Sequence, residues 1–97
     1  MKELRYYGLI RFNKKTGEID TTMTALGRGM IQLWAVQNTP DTDASVIVDI
    51  AERKVFSEYI GTADGFPEIR KDPETFEYDL PEEVFDILAE EAAKRAV

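Results

Sequence analysis

Ninety-seven residues, 43% of them hydrophobic and 32% charged, make one small globular chain with material for a single modest core. Cysteine and histidine are both absent, which excludes disulfide staples, thiolate chemistry and Cys/His metal sites and leaves any catalysis to carboxylates, Lys, Tyr or Ser/Thr. The formal charge of −7 is polarised: residues 1–37 hold six Lys/Arg against three Asp/Glu, and residues 38–97 hold six against sixteen.

Glu3 to Phe12 reads as a strand, with Tyr6, Gly8, Ile10 and Phe12 on one face and Arg5, Tyr7, Leu9 and Arg11 on the other. Asn13 to Gly17 is a turn, and a short strand near Glu18 to Thr22 pairs back on the first. The string Gly8-Leu9-Ile10-Arg11-Phe12-Asn13-Lys14-Lys15-Thr16-Gly17 resembles the opening of a cold-shock domain over those ten residues. Independently of that resemblance, Arg5, Tyr7 and Arg11, with Lys14 and Lys15 in the turn, would give an aromatic platform among cations of the kind single-strand nucleic-acid binders use. The likeness ends at Gly17: Glu18-Ile19-Asp20 stands where that family has glycine-interleaved aromatics, and no His-bearing aromatic strand follows. The net charge also opposes a phosphate backbone, so direct binding of nucleic acid is not expected.

Met23, Leu26, Met30, Leu33 and Trp34 recur at helical spacing, which predicts a helix over Met23–Gln37 capped by Asp20 or a following Thr. Gly27 and Gly29 would each cost such a helix about 1 kcal/mol relative to Ala. The competing reading makes Gly27-Arg28-Gly29 a hairpin tip. Trp34 is expected in the core, and Asn38-Thr39-Pro40 ends the helix. Ser45–Ile50 and Val55–Ile60 predict a hairpin, rich in β-branched and aromatic residues; a helix over Ala51–Ile60 is the alternative. Asp41, Asp43, Ser45, Asp49 and Glu52 match positions of a calcium loop, but Val46 stands where the sharp turn needs glycine, so no metal site is expected.

Gly61 to Pro67 reads as a loop, and Asp64, Phe66 and Arg70 form its one weak candidate ligand site. Thr75–Leu80 alternates as a strand, Phe76, Tyr78 and Leu80 inward and Glu77 and Asp79 outward. The last element is a helix: Asp79 can cap it, Pro81 suits its first turn, and Pro81, Val84, Phe85, Leu88 and Ala92 make its apolar face. Together these elements predict a single α+β domain over residues 1–97, a two-layer arrangement in which an antiparallel sheet of about five strands packs both helices on one face.

Nine carboxylates and no basic residue lie between Asp72 and Glu91. Glu82 and Glu83 favour the helix dipole and need no further role. Glu77, Asp79, Asp86 and Glu90 are not required by local structure, and with Glu82 and Glu83 they form the candidate partner-binding face. The expected function is a non-enzymatic, acidic protein-binding module docking on a basic partner surface. Small acidic inhibitors made by phages and mobile elements against host nucleases are similar in size and charge, and mimic a row of phosphates. An oligomeric small-ligand binder, with a homodimer as its simplest form, is the alternative; a carboxylate enzyme ranks third. No catalytic residue, cofactor motif or membrane-spanning stretch is recognised, and a cytoplasmic location is the default.

Overall fold

The computed structural model describes residues 6–95, so the expected start of the first strand at Glu3–Arg5 lies outside the described residues. In chain order the elements are β1 (Tyr6–Asn13), β2 (Ile19–Leu26), α1 (Gly29–Gln37), β3 (Asp43–Asp49), β4 (Lys54–Ile60), β5 (Glu68–Arg70) and α2 (Glu82–Arg95), with a 3-10 turn at Pro73–Thr75 before α2. The strands form one sheet in the order β2-β1-β3-β4-β5, and every neighbouring pair is antiparallel.

The expected α+β class, antiparallel sheet, five strands and two helices are all present. What differs is where α1 packs. Ile10 and Phe12 of β1 and Ala44, Val46 and Val48 of β3 meet Val84, Phe85, Leu88 and Ala92 of α2. The intervening residues Tyr7 and Leu9, with Ile47 and Tyr59, meet Ile31 and Ala35 of α1. Successive strand residues point to opposite faces, so the helices cover opposite sides of the sheet. The physical reason is visible in β3, where all seven residues are buried. A strand apolar on both faces needs cover on both. Tyr7 and Leu9 therefore lie under α1 and not in solvent, which removes the stacking platform imagined for that face.

Glycine at position 8 fits this packing, because a Cβ there would stand 2.7 Å from Leu88 Cδ1.

The predicted helix Met23–Gln37 divides in two. Met23 to Leu26 continue β2, paired with Leu9 to Tyr6, and the helix begins only at Gly29. Gly27 sits between the two with φ +83°, a backbone conformation that ends the strand. Both glycines thus fall at or outside the helix boundary, where their cost is not incurred. Asp20 and the threonines belong to β2, and α1 has no side-chain cap. Trp34 is half-buried against the α1-side core, close to expectation.

The fifth strand is Glu68–Arg70, paired to β4, and not Thr75–Leu80. Once β5 occupies that edge, the later segment has no ladder to join. Asp72 accepts the Glu74 N–H at 3.1 Å and turns the chain at Pro73. Residues 76–80 then run extended over the α2-side core, where Tyr78 meets Phe12 edge-to-face at 5.0 Å and Leu80 packs beside it. Two of their N–H groups are satisfied by a side chain: the Glu58 carboxylate accepts from Glu77 N and Tyr78 N, each at 2.7 Å. Helix α2 starts one residue after Pro81, whose carbonyl accepts the Val84 N–H at 3.1 Å. Among the described residues no helix is long and apolar enough to cross a membrane.

Candidate functional site

The six carboxylates of the predicted acidic face separate into two environments. A salt-bridging arginine explains the first. Arg53, in the β3–β4 turn, has φ +55° and is the one non-glycine residue with positive φ among the described residues. This unusual backbone places its guanidinium on α2, where Nη1 donates to Glu82 Oε2 at 2.9 Å and Nη2 to Asp86 Oδ1 at 2.5 Å. Those two carboxylates are a turn apart on one flank, and the guanidinium bridges what would otherwise be a like-charge pair.

The other flank of α2 is not neutralised in this way. Glu83 and Glu90 are exposed and form no ion pair with another described residue. On a helix they fall on the same side as Glu91, whose Oε1 accepts a hydrogen bond from Thr22 Oγ1 of β2 at 3.4 Å. Ile87 lies among them, about half exposed. Ahead of the helix, Asp79 is exposed, and Glu77 stands 3.9 Å from Arg70 Nη1. Burial first, then the nearby carboxylates of Glu77 and Glu58, push the Tyr78 hydroxyl above its ordinary value. The expected cluster is thus an α2 flank facing β2, an Arg53-bridged flank facing β4, and two residues leading into the helix.

The weak ligand site does not assemble. Phe66 is 76% exposed. Asp64 accepts from Thr62 Oγ1, and that bond, with the Phe66 backbone, holds its carboxyl below the usual range. Arg70 points elsewhere, donating to the Thr75 carbonyl at 2.9 Å and to Glu68 at 3.2 Å. These three residues do not share a cavity. An open cleft of about 340 Å³ lies nearby instead, lined by Arg11, Asn38, Asp41, Thr62 and Gly65 among others.

Arg11 joins a network that the charge pattern did not reveal. Its Nε meets Asp20 Oδ1 at 2.8 Å and Asp43 Oδ2 at 3.5 Å, its Nη1 donates to the Asn38 carbonyl at 2.7 Å, and its guanidinium stacks 5.2 Å from the Trp34 ring. Burial, then the hydrogen bond and charge of Asp20, raise the Asp43 carboxyl above the ordinary 3.8. At Asp20 burial also acts upward, but hydrogen bonds from Arg11, Thr21 and Asp43 outweigh it and leave the carboxyl lowered. Two carboxyls with separated affinities are what acid–base chemistry uses. Here, however, the arginine between them is spent on the end of α1 and on Trp34, so the arrangement joins β1, β2, β3 and α1.

This pair contributes in opposite directions to the acid response of the fold. Asp20 is lowered, so its stabilisation is present above 3.8 and is lost as pH falls below it. Asp43 is raised, so its ionisation costs stability as pH climbs above 3.8. Asp43→Asn should therefore reduce the loss of stability on raising pH from 3.8, whereas Asp20→Asn should reduce the loss on lowering it; urea midpoints measured across that range check both.

Three structural groupings do not show in the sequence: Arg53 with α2, Glu58 with residues 77 and 78, and the Arg11–Asp20–Asp43 set. Glu58 carried a usable signal, a carboxylate at the inward parity of an apolar strand. Arg53 had none, since a polar turn residue looks the same whether or not it reaches a helix. The buried hydroxyls Thr24 Oγ1 and Ser57 Oγ have no hydrogen-bond partner among the described residues, but they stand on opposite faces of the sheet and make no common site. Among the described residues no group of three or more Asp/Glu side chains is placed to hold a metal ion. Comparison with protein-family models, with curated proteins and with solved structures finds no match.

Proposed function

We propose that this chain is a non-enzymatic protein-binding module whose acidic surface docks on a basic surface of a partner protein. A nucleic-acid-binding groove is the most concrete such surface, and an inhibitor occupying one is the most specific version. The observation that carries the reading is the asymmetry of α2: Glu82 and Asp86 are bridged by Arg53, while Glu83 and Glu90 project into solvent without an ion pair among the described residues. Asp79, exposed at the foot of the helix, extends the same field. Carboxylates left free at the surface of a chain of charge −7 steer a basic partner and contribute to association rate.

The test is capture from the native host followed by mass spectrometry of proteins and small molecules. A basic protein should be retained and released by salt, because exposed charge pairs are screened over roughly 10 Å at 0.1 M. Retention that is indifferent to salt, or a small molecule copurifying in place of a protein, would contradict the proposal. A ligand reading would then fall on the cleft beside Arg11, not on Asp64, Phe66 and Arg70.

A further inference from the structure

Strand β2 is an open edge of unusual character. Among the described residues it pairs with β1 alone, and its eight residues, Ile-Asp-Thr-Thr-Met-Thr-Ala-Leu, contain one charge and no proline. That single charge, Asp20, is engaged by Arg11. The opposite edge, β5, is three residues long with two of them charged, the usual defence against sheet-to-sheet pairing. Strand β2 carries a bulge at Asp20, and beyond it, from Thr21 to Leu26, it lacks that defence.

The two walls beside this edge differ in chemistry. On the α1 side the helix carries no charge. Its flank over β1 is fixed by Trp34, which stacks on Arg11, and Met30, one turn earlier on that flank, is 77% exposed. Leu33 beside it is 54% exposed. On the α2 side the hydrogen bond from Thr22 to Glu91 fixes the flank facing β2, which also bears Glu83 and Glu90; Lys94 follows toward its end. An extended segment paired to β2 would point alternate side chains to the two walls.

We propose that β2 receives an extended segment of the partner in which basic and apolar residues alternate, the basic ones facing Glu83, Glu90 and Glu91 and the apolar ones facing Met30 and Leu33. The backbone supplies strand addition, and the walls supply the period-two specificity. Charge complementarity selects this occupant over a second copy: pairing β2 with itself about a two-fold axis would bring each acidic flank against its own duplicate. The inference deepens the proposed function and rests on it, by naming the part of the partner that is bound.

The experiment titrates the isotope-labelled protein with an eight-residue peptide of alternating Lys and Val, and with a block peptide of the same composition. The alternating peptide should protect from hydrogen exchange every other amide of Thr21–Leu26, those not bonded to β1. It should bind about tenfold more tightly than the block peptide, a difference of 1.4 kcal/mol. The surface variant Met30→Gln/Leu33→Gln should lose a similar factor while keeping its urea midpoint. Equal affinity for the two peptides, protection outside β2, or concentration-dependent dimerisation that protects β2 without peptide would each overturn the inference. The two levels separate cleanly. Salt-sensitive binding that depends on Glu83 and Glu90 but leaves β2 unprotected removes only the strand-addition step; binding indifferent to those glutamates removes the acidic docking itself.

Discussion

Glu58→Ala is expected to lower the stability of the protein by about 2–5 kcal/mol, because it removes the carboxylate that accepts from two part-buried N–H donors. Glu58 is fully buried on β4, on the α2 side of the sheet, and its two oxygens hold Glu77 N and Tyr78 N. Those bonds replace the strand pairing that residues 76–80 lack, so the loss is both local and global. The amides of Glu77 and Tyr78 should exchange freely in the variant, and the urea midpoint should fall. Glu58→Gln should be intermediate, since one acceptor remains while the new NH2 group opposes a donor. An unchanged midpoint with protected amides would show that some other group holds the segment.

Gly61→Ala should be of similar severity, about 3 kcal/mol or more, at the upper end of overpacking costs. A Cβ at this position would lie 1.8 Å from the Pro40 carbonyl oxygen and 2.8 Å from that of Asp43. Both obstacles are backbone, so no rotamer change relieves them. The corner is also closely bonded: Gly61 N–H donates to Asp43 O at 3.0 Å, Asp43 N–H to Pro40 O at 3.0 Å, and Lys14 Nζ to Gly61 O at 2.9 Å. Gly8→Ala is the matched comparison. Its obstacle is the Leu88 side chain, which can shift, and about 1 kcal/mol is expected. Thermal midpoints of the two variants should differ clearly; equal losses would mean that the Pro40–Asp43 turn yields as readily as a leucine.

These variants also show which parts of the fold were legible in the sequence. The β3–β4 hairpin and α2 were, because a continuous apolar run and a long amphipathic stripe each report burial directly. The alternation of Phe76, Tyr78 and Leu80 was read correctly as inward-facing, yet the segment is no strand. Period-two patterning reports extended chain against a core, and the ladder depends on a free edge that only the fold can supply. The opposite failure occurred at Met23–Leu26, whose spacing with Met30 and Leu33 imitates a helix. Pairing with β1 overrode that spacing, and Gly27 marked the true boundary. The placement of α1 was legible in principle: a β3 apolar on both faces requires two covers.

The acidic face was legible as composition but not as geometry. Counting carboxylates gave six candidates. It could not show that a turn arginine 29 and 33 residues away in the chain crosses to Glu82 and Asp86, nor that Glu83 and Glu90 lie on the flank beside β2. Long-range contacts of this kind leave no local pattern. The Arg11 network escaped for the same reason, since Asp20, Asn38 and Asp43 meet only after three elements have packed.

The most direct test compares two variants that remove the same charge from opposite flanks of α2. Glu83→Gln/Glu90→Gln neutralises the flank beside β2, and Glu82→Gln/Asp86→Asn neutralises the flank bridged by Arg53. Binding of each to the captured basic partner is measured at low and moderate salt. The first variant should lose at least about tenfold in affinity and most of its salt dependence, while the second should stay near wild type, because only unbridged carboxylates are available to a partner. Equal losses from the two flanks would reduce the effect to net charge, and no loss from either would contradict the acidic docking surface.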